Sequence, residues 1–196
     1  FDDCTAKDLS GYGNNGTLFN GPTCVDGKVS KALSFDGVDD YVSMGRGLNL
    51  QTAQTISVWI LWRGFLSGDN QAIFHSRGAN QASVSLAVSQ SQGALLYSPY
   101  GAYTASWPAY TIWSSLPPQN NFTHIVVTTQ GTNLKVFKNG RIDSTINISN
   151  TSIASYSEFS SISINSYPWN GIIDEVEVYN RALSDAEIKA LYEATK

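Results

Sequence analysis

The run "IIDEVEVY" (172–179) places a carboxylate where a strand would keep apolar side chains. With side chains alternating between faces, Ile172, Asp174, Val176 and Val178 share one side, and Ile173, Glu175, Glu177 and Tyr179 take the other. The second face is polar enough to meet water, so Asp174 is expected on the core face. A buried, unpaired charge is too costly to keep. Four explanations fit: a bound metal, a cluster of backbone N–H groups, a catalytic proton, or a strand end open to water.

Catalysis finds little support in the residue types. A nucleophilic triad needs a histidine within reach of Ser or Cys. The two histidines, His75 in "AIFHS" and His124 in "FTHIV", both stand inside strand patterns, and no G-x-S-x-G elbow accompanies them. Glycoside hydrolysis needs two carboxylates flanking one bond. Glu175 and Glu177 share a face, but they sit beside Tyr179 with no partner motif. The expectation is a protein that is not an enzyme.

Binding has a stronger signature. The stretch "LLYSPYGAYTASWPAYTIW" (95–113) carries Tyr97, Tyr100, Tyr103, Trp107, Tyr110 and Trp113 among Ser, Pro, Gly and Ala. Aromatic rings in a concave, partly polar setting are the means of gripping sugar rings. Tyr100, Tyr103 and Trp107, with Tyr110 beside them, are the candidate glycan contacts. The alternative makes Tyr97 and Trp113 strand core, with the others packed under a long loop. A protein partner would use the same residues.

Bulk properties narrow the setting. The 196 residues suffice for one large domain, taken as 1–196, with a real core. A net charge of -4 and an isoelectric point near 5.0 exclude a nucleic-acid binder, which needs clustered Lys and Arg. No apolar run approaches a membrane span, so no membrane insertion is expected. Cys4 and Cys24, the two cysteines, suggest a disulfide and an extracellular, secreted or cell-surface location. Two buried thiols are the alternative. Four N-x-S/T sequons, at Asn15, Asn121, Asn147 and Asn150, match what chance gives in a chain this rich in Asn, Ser and Thr.

The elements that must position these residues are mostly strands. Patterns at 28–35, 40–44, 54–63, 71–76, 82–88, 122–130, 132–138, 141–148, 160–165 and 172–179 recur about every ten residues without intervening helices. That rhythm predicts an antiparallel sandwich or barrel. Ile56, Val58, Ile60 and Trp62 share one face of the strongest strand. Trp59 and Leu61 on its reverse imply cover on both sides. Asn139-Gly140 marks a hairpin. "SDAEIKALYEA" opens on a capping box, Ser184 with Glu187, and predicts one short helix lying on the sandwich edge.

In their order, four segments resemble the laminin G-like domains of the concanavalin A-like lectin/glucanase superfamily. They are "DLSGYGNNGTLFNGPT" (8–23), "GKVSKALSFDGVDDYVSM" (27–44), "LKVFKNGRI" (134–142) and "GIIDEVEVYNRALSDAEIKALY" (171–192). The resemblance implies an all-β jelly-roll sandwich of two antiparallel sheets with one short C-terminal helix. It also implies that 27–44 forms a hairpin. Glucanases of that superfamily present E-x-D-x-E on one strand, which "DEVEV" does not reproduce. Similar domains often hold a structural calcium ion, and the matching acids here are Asp8 and Asp174, with Asp36. Without a metal, Asp174 would take backbone N–H groups from the loop "KDLSGYGNNG". The implied role is a carbohydrate-binding or adhesion module for a glycan or polysaccharide. The alternatives are a structural or protein-binding module joined to other domains of a larger surface protein, and a glycoside hydrolase.

Overall fold

A computed structural model describes residues 1–45, 53–66, 68, 70–77, 82–102, 111–148, 159–162 and 166–196. The first strands are β1 (Thr17–Phe19), β2 (Thr23–Asp26), β3 (Lys31–Asp36), β4 (Tyr41–Ser43), β5 (Ala53–Trp62), β6 (Asn70–Arg77) and β7 (Ala82–Ser89). They are followed by β8 (Ala94–Ala102), β9 (Ile112–Ser115), β10 (Phe122–Gln130), β11 (Asn133–Lys138), β12 (Arg141–Asn147), β13 (Phe159–Ile162) and β14 (Asn170–Tyr179). The helix α1 (Asp185–Thr195) closes the chain.

Two seven-stranded sheets result. The first runs β1-β4-β13-β6-β7-β8-β9 and the second β12-β11-β10-β5-β14-β3-β2. Every pairing between neighbouring strands is antiparallel. This is the all-β jelly-roll sandwich with a single C-terminal helix.

Strand alternation builds the core between the sheets. Ile56, Val58, Ile60 and Trp62 of β5 point inward, as do Val84, Leu86 and Val88 of β7 and Leu95 and Tyr97 of β8. Fully burying an aliphatic or aromatic side chain of this size is worth about 1.5–3 kcal/mol. Tyr97 is fully buried, and its hydroxyl lies 2.9 Å from Gln54 Nε2 and 2.6 Å from Thr129 Oγ1, so the ring ties the first sheet to the second.

The Asn139-Gly140 turn joins β11 to β12 with both residues in the left-handed region, at φ 49° and 72°. Those angles suit the hairpin turn that Asn-Gly favours. Gly140 is needed twice, because a Cβ there would press on the Tyr192 side chain of α1 at 3.0–3.2 Å.

The helix opens on its capping box: Ser184 N donates to Glu187 Oε2 at 2.8 Å, and Glu187 N donates to Ser184 Oγ at 3.3 Å. It does not lie on the edge of the sandwich. Leu183 and Ile188 join Val126 and Phe137 in a second apolar cluster on the outer face of the second sheet. That face needs cover because β5 and β10 turn Trp59, His124 and Val126 outward.

Two further expectations are corrected. The segment 27–44 is not a hairpin: β3 belongs to the second sheet and β4 to the first, so the turn at Asp36–Asp40 crosses the sandwich. The face assignment of β14 also changes phase. Asp174 stands opposite Trp59 but Glu177 opposite Ser57, which leaves one extra residue in β14. Glu175 absorbs it at φ 46°. Such a bulge shifts which side chains face which way. Before it, Ile173 enters the core while Ile172 and Asp174 point outward. After it, Val176 and Val178 turn inward.

Candidate functional site

Asp174 is fully buried on the outer face of the second sheet. Its Oδ2 accepts the backbone N–H groups of Lys28 at 2.8 Å and Val29 at 3.1 Å, and its Oδ1 accepts that of Glu175 at 2.9 Å. Burial pushes its carboxyl above the ordinary value, and the three N–H donors pull the other way. Gly27 gives the turn its close approach, since a Cβ there would run into the Asp174 carboxylate and Ala32. The donors come from the turn before β3 rather than from the loop at 7–16. A cation at Asp174 would meet the positive ends of these N–H dipoles, so the surroundings fit a backbone clamp and do not fit calcium.

The other acids expected to ligate a metal stand apart from it. Asp8 holds its own loop, with Oδ1 accepting Ser10 N and Oδ2 accepting Asn14 N, both at 2.8 Å. These bonds, those from Ser10 foremost, hold its carboxyl below the usual range. Asp36 Oδ1 accepts Val38 N at 2.8 Å, while Asp36 N donates to Asp40 Oδ2 at 3.0 Å. One oxygen each of Asp36, Asp39 and Asp40 lies within 4.8 Å of the others. Among the described residues this is the one group of three potential ligands that could share an ion, and it contains neither Asp8 nor Asp174.

The histidines are structural neighbours of the core. His124 Nε2 lies 2.9 Å from Ser57 Oγ, and its ring packs with Trp59 and Tyr192, with centroids at 5.1 and 6.1 Å, while those two rings also stack on each other at 5.8 Å beneath α1. Burial pushes its pKa down to about 4. Its Nδ1 has no partner among the described residues, so no acid orients the ring as in a catalytic triad. Trp59 Nε1 donates to Thr195 Oγ1 at 2.9 Å, and Lys28 Nζ lies 5.0 Å from the Trp59 ring centroid. His75 is buried in β6. Glu177 accepts the Tyr179 hydroxyl at 2.7 Å.

Cys4 and Cys24 form a disulfide, fastening the N-terminal segment to β2 at the edge of the second sheet.

Of the aromatic stretch 95–113, Tyr97 is core. Tyr100 belongs to β8, but its side chain lies outside the described residues, as do Tyr103, Trp107 and Tyr110 altogether. Trp113 is not core: it is 42% exposed on β9. Its cross-strand partner is Leu96, whose neighbours Leu95 and Tyr97 point inward, so Trp113 stands on the outer face of the first sheet. Burial alternates along β9, with Ile112 and Ser114 buried and Trp113 and Ser115 exposed.

The same outer face holds Ala87 and Leu96 in one row and His75, Ser85 and Ser98 in the next, all buried. The buried hydroxyls of Ser98 and Thr111 have no hydrogen-bond partner among the described residues. At the opposite edge, Phe19 of β1 and Tyr41 of β4 stack with centroids 4.8 Å apart and planes 7° from parallel. Sequence reasoning missed this pair, because its first strand pattern starts at residue 28 and β1 lies before it.

Two antiparallel sheets over one core, with a capped helix on one outer face, define an all-β jelly-roll module. The laminin G-type family model of the concanavalin A-like lectin/glucanases superfamily matches residues 36–189, and the chain belongs to that family. No curated protein sequence matches significantly. Among solved structures, it is similar to domain 4 of AbnA, an extracellular arabinanase from Geobacillus stearothermophilus, in complex with arabinotriose. The TM-score is 0.78 at 19% identity, covering 98% of this chain and 95% of that one. It is also similar to the receptor-binding domain of botulinum neurotoxin D, with a TM-score of 0.73, 14% identity and coverage of 96% and 49%. A third similar structure, of botulinum neurotoxin type C, is described by its interaction with two ganglioside molecules. Its TM-score is 0.72 at 20% identity, with coverage of 97% and 48%. The chain spans about half the length of these toxin domains. At such identities the likeness is one of fold.

Proposed function

We propose that this chain is a non-catalytic carbohydrate-binding module of an extracellular protein, joined to other domains of a larger secreted or surface protein. The observation that carries the reading is Trp113, a large ring exposed on a sheet face at the end of the aromatic-rich stretch. An open indole face can lie against the apolar face of a sugar ring. Tyr100, Tyr103, Trp107 and Tyr110 are proposed to complete the contact. The arabinotriose complex of the arabinanase domain and the ganglioside contacts of the toxin support a glycan ligand. The disulfide supports an oxidising compartment. Among the described residues, no helix is long and apolar enough to cross a membrane.

For calcium, the proposal moves from Asp174 to Asp36, grouped with Asp39 and Asp40. A second reading, a protein-binding or structural module, draws on the exposed Leu9, Tyr12, Val38 and Leu66.

A glycan and polysaccharide screen, run in calcium and again in EDTA, tests the proposal. Specific sugar binding that Trp113→Ala removes, with melting temperature unchanged, is the expected result. Binding that ignores Trp113 would move the site elsewhere. Absence of any sugar binding would favour the second reading.

A further inference from the structure

Phe19 and Trp113 lie on the same face of the same sheet, at its two ends. Val42 enters the core, so its cross-strand partner Leu18 points inward and the neighbouring pair Phe19–Tyr41 points outward. That is the face on which Trp113 stands. β1 and β9 are the terminal strands of the seven. Six inter-strand spacings of about 4.8 Å put the two rings roughly 29 Å apart along the sheet.

Between them, Ala87 and Ser85 of β7 and Leu96 and Ser98 of β8 are buried. Among the described residues of this face, the large rings left exposed are one at each end, Phe19 at 40% and Trp113 at 42%.

We infer that Phe19, backed by Tyr41, is a second saccharide platform, and that the module grips one neutral polysaccharide at two separated points. The inference rests on the glycan-binding reading above and deepens it.

The parallel stack fixes the Phe19 ring from one side and leaves its other face toward the sheet edge. Among the described residues β1 pairs with β4 alone, so the backbone groups along its far edge can serve sugar hydroxyls. Asn20 follows at φ 65°, and its Nδ2 donates to the carbonyl of Asp39 at 2.8 Å, which pins the β1 end to the acidic turn. The net charge of -4 repels an anionic polymer and favours a neutral one.

Two linked contacts raise affinity for a polymer above that for a fragment too short to span them. The test uses the polysaccharide that the intact chain binds and a trisaccharide cut from it. Calorimetry is expected to find two trisaccharides per wild-type chain, and one for either Phe19→Ala or Trp113→Ala. Phe19→Ala should weaken polymer binding by about a hundredfold. Phe19→Tyr, which keeps the ring, should bind as wild type does, and this separates loss of the platform from loss of folding. Wild-type polymer affinity in Phe19→Ala, with one trisaccharide per wild-type chain, would overturn the second platform and leave the Trp113 site standing. If the wild type binds no sugar at all, both readings fall.

Discussion

One oxygen of Asp174 accepts the backbone N–H groups of Lys28 and Val29 across 146 and 145 residues of chain. The last strand of the second sheet is thereby locked to the turn that launches β3. Asp174→Ala would leave three N–H groups without an acceptor, at about 1–3 kcal/mol each where they are buried. The melting temperature should fall by at least about 5 °C, and by the same amount with calcium or with EDTA. A wild-type melt that drops to the variant's level in EDTA would show that a cation, not the N–H groups, carries the contact.

Glu175 occupies the left-handed region, at φ 46°, in the bulge of β14. A residue with a side chain pays roughly 1–2 kcal/mol for that conformation, and glycine does not. Burial and the nearby Asp174 charge also raise the Glu175 carboxyl pKa. Glu175→Gly should hold stability or gain up to about 1 kcal/mol, and Glu175→Val should lose it. Urea unfolding midpoints measure both. A Gly variant weaker than the Val variant would mean that the bulge does not need this backbone conformation.

His124 gives the pH dependence. Its pKa lies at about 4 in the fold against an ordinary 6.5, so the folded chain binds fewer protons than the unfolded one. Its contribution is complete above pH 6.5 and is lost as pH falls toward 4, with a limit of roughly 3 kcal/mol. Thermal melts of wild type and His124→Phe between pH 7 and 4 read it directly. The variant should lose less stability on acidification, and identical profiles would contradict the assignment.

The Cys4–Cys24 bond joins residues 20 apart. In the chain-entropy account, a loop of this size stabilises by about 3 kcal/mol. Replacing both cysteines by serine should lower the unfolding free energy by about that amount, as measured by denaturant titration. A change below about 1 kcal/mol would show that the N-terminal segment is held by its other contacts.

Local chemistry explains which parts were legible beforehand. Asn139-Gly140 and the Ser184–Glu187 box announce a turn and a helix start through residues whose conformational demands act locally, and both stand where expected. The two-sided burial of β5 was readable because Trp59 and Leu61 stand among inward Ile and Val residues. The bulge at Glu175 was not, since nothing about a glutamate signals positive φ, and one extra residue reverses every later side chain. The Asp36–Asp40 turn looks the same whether it folds back within one sheet or crosses to the other. β1 is three residues long, too short for alternation to show, and so the Phe19–Tyr41 pair stayed hidden. The face of Trp113 was not legible, because a tryptophan between Ile112 and Ser114 fits either side of a strand and only the fold exposes it.

The most direct test of the account is isothermal titration of the wild-type chain and Trp113→Ala with neutral oligosaccharides, arabinotriose among them, after matching their melting temperatures. The account predicts saturable binding to at least one sugar by the wild type and loss of that site's heat in the variant. Equal binding by both proteins, or none by the wild type, would contradict a glycan site built on Trp113.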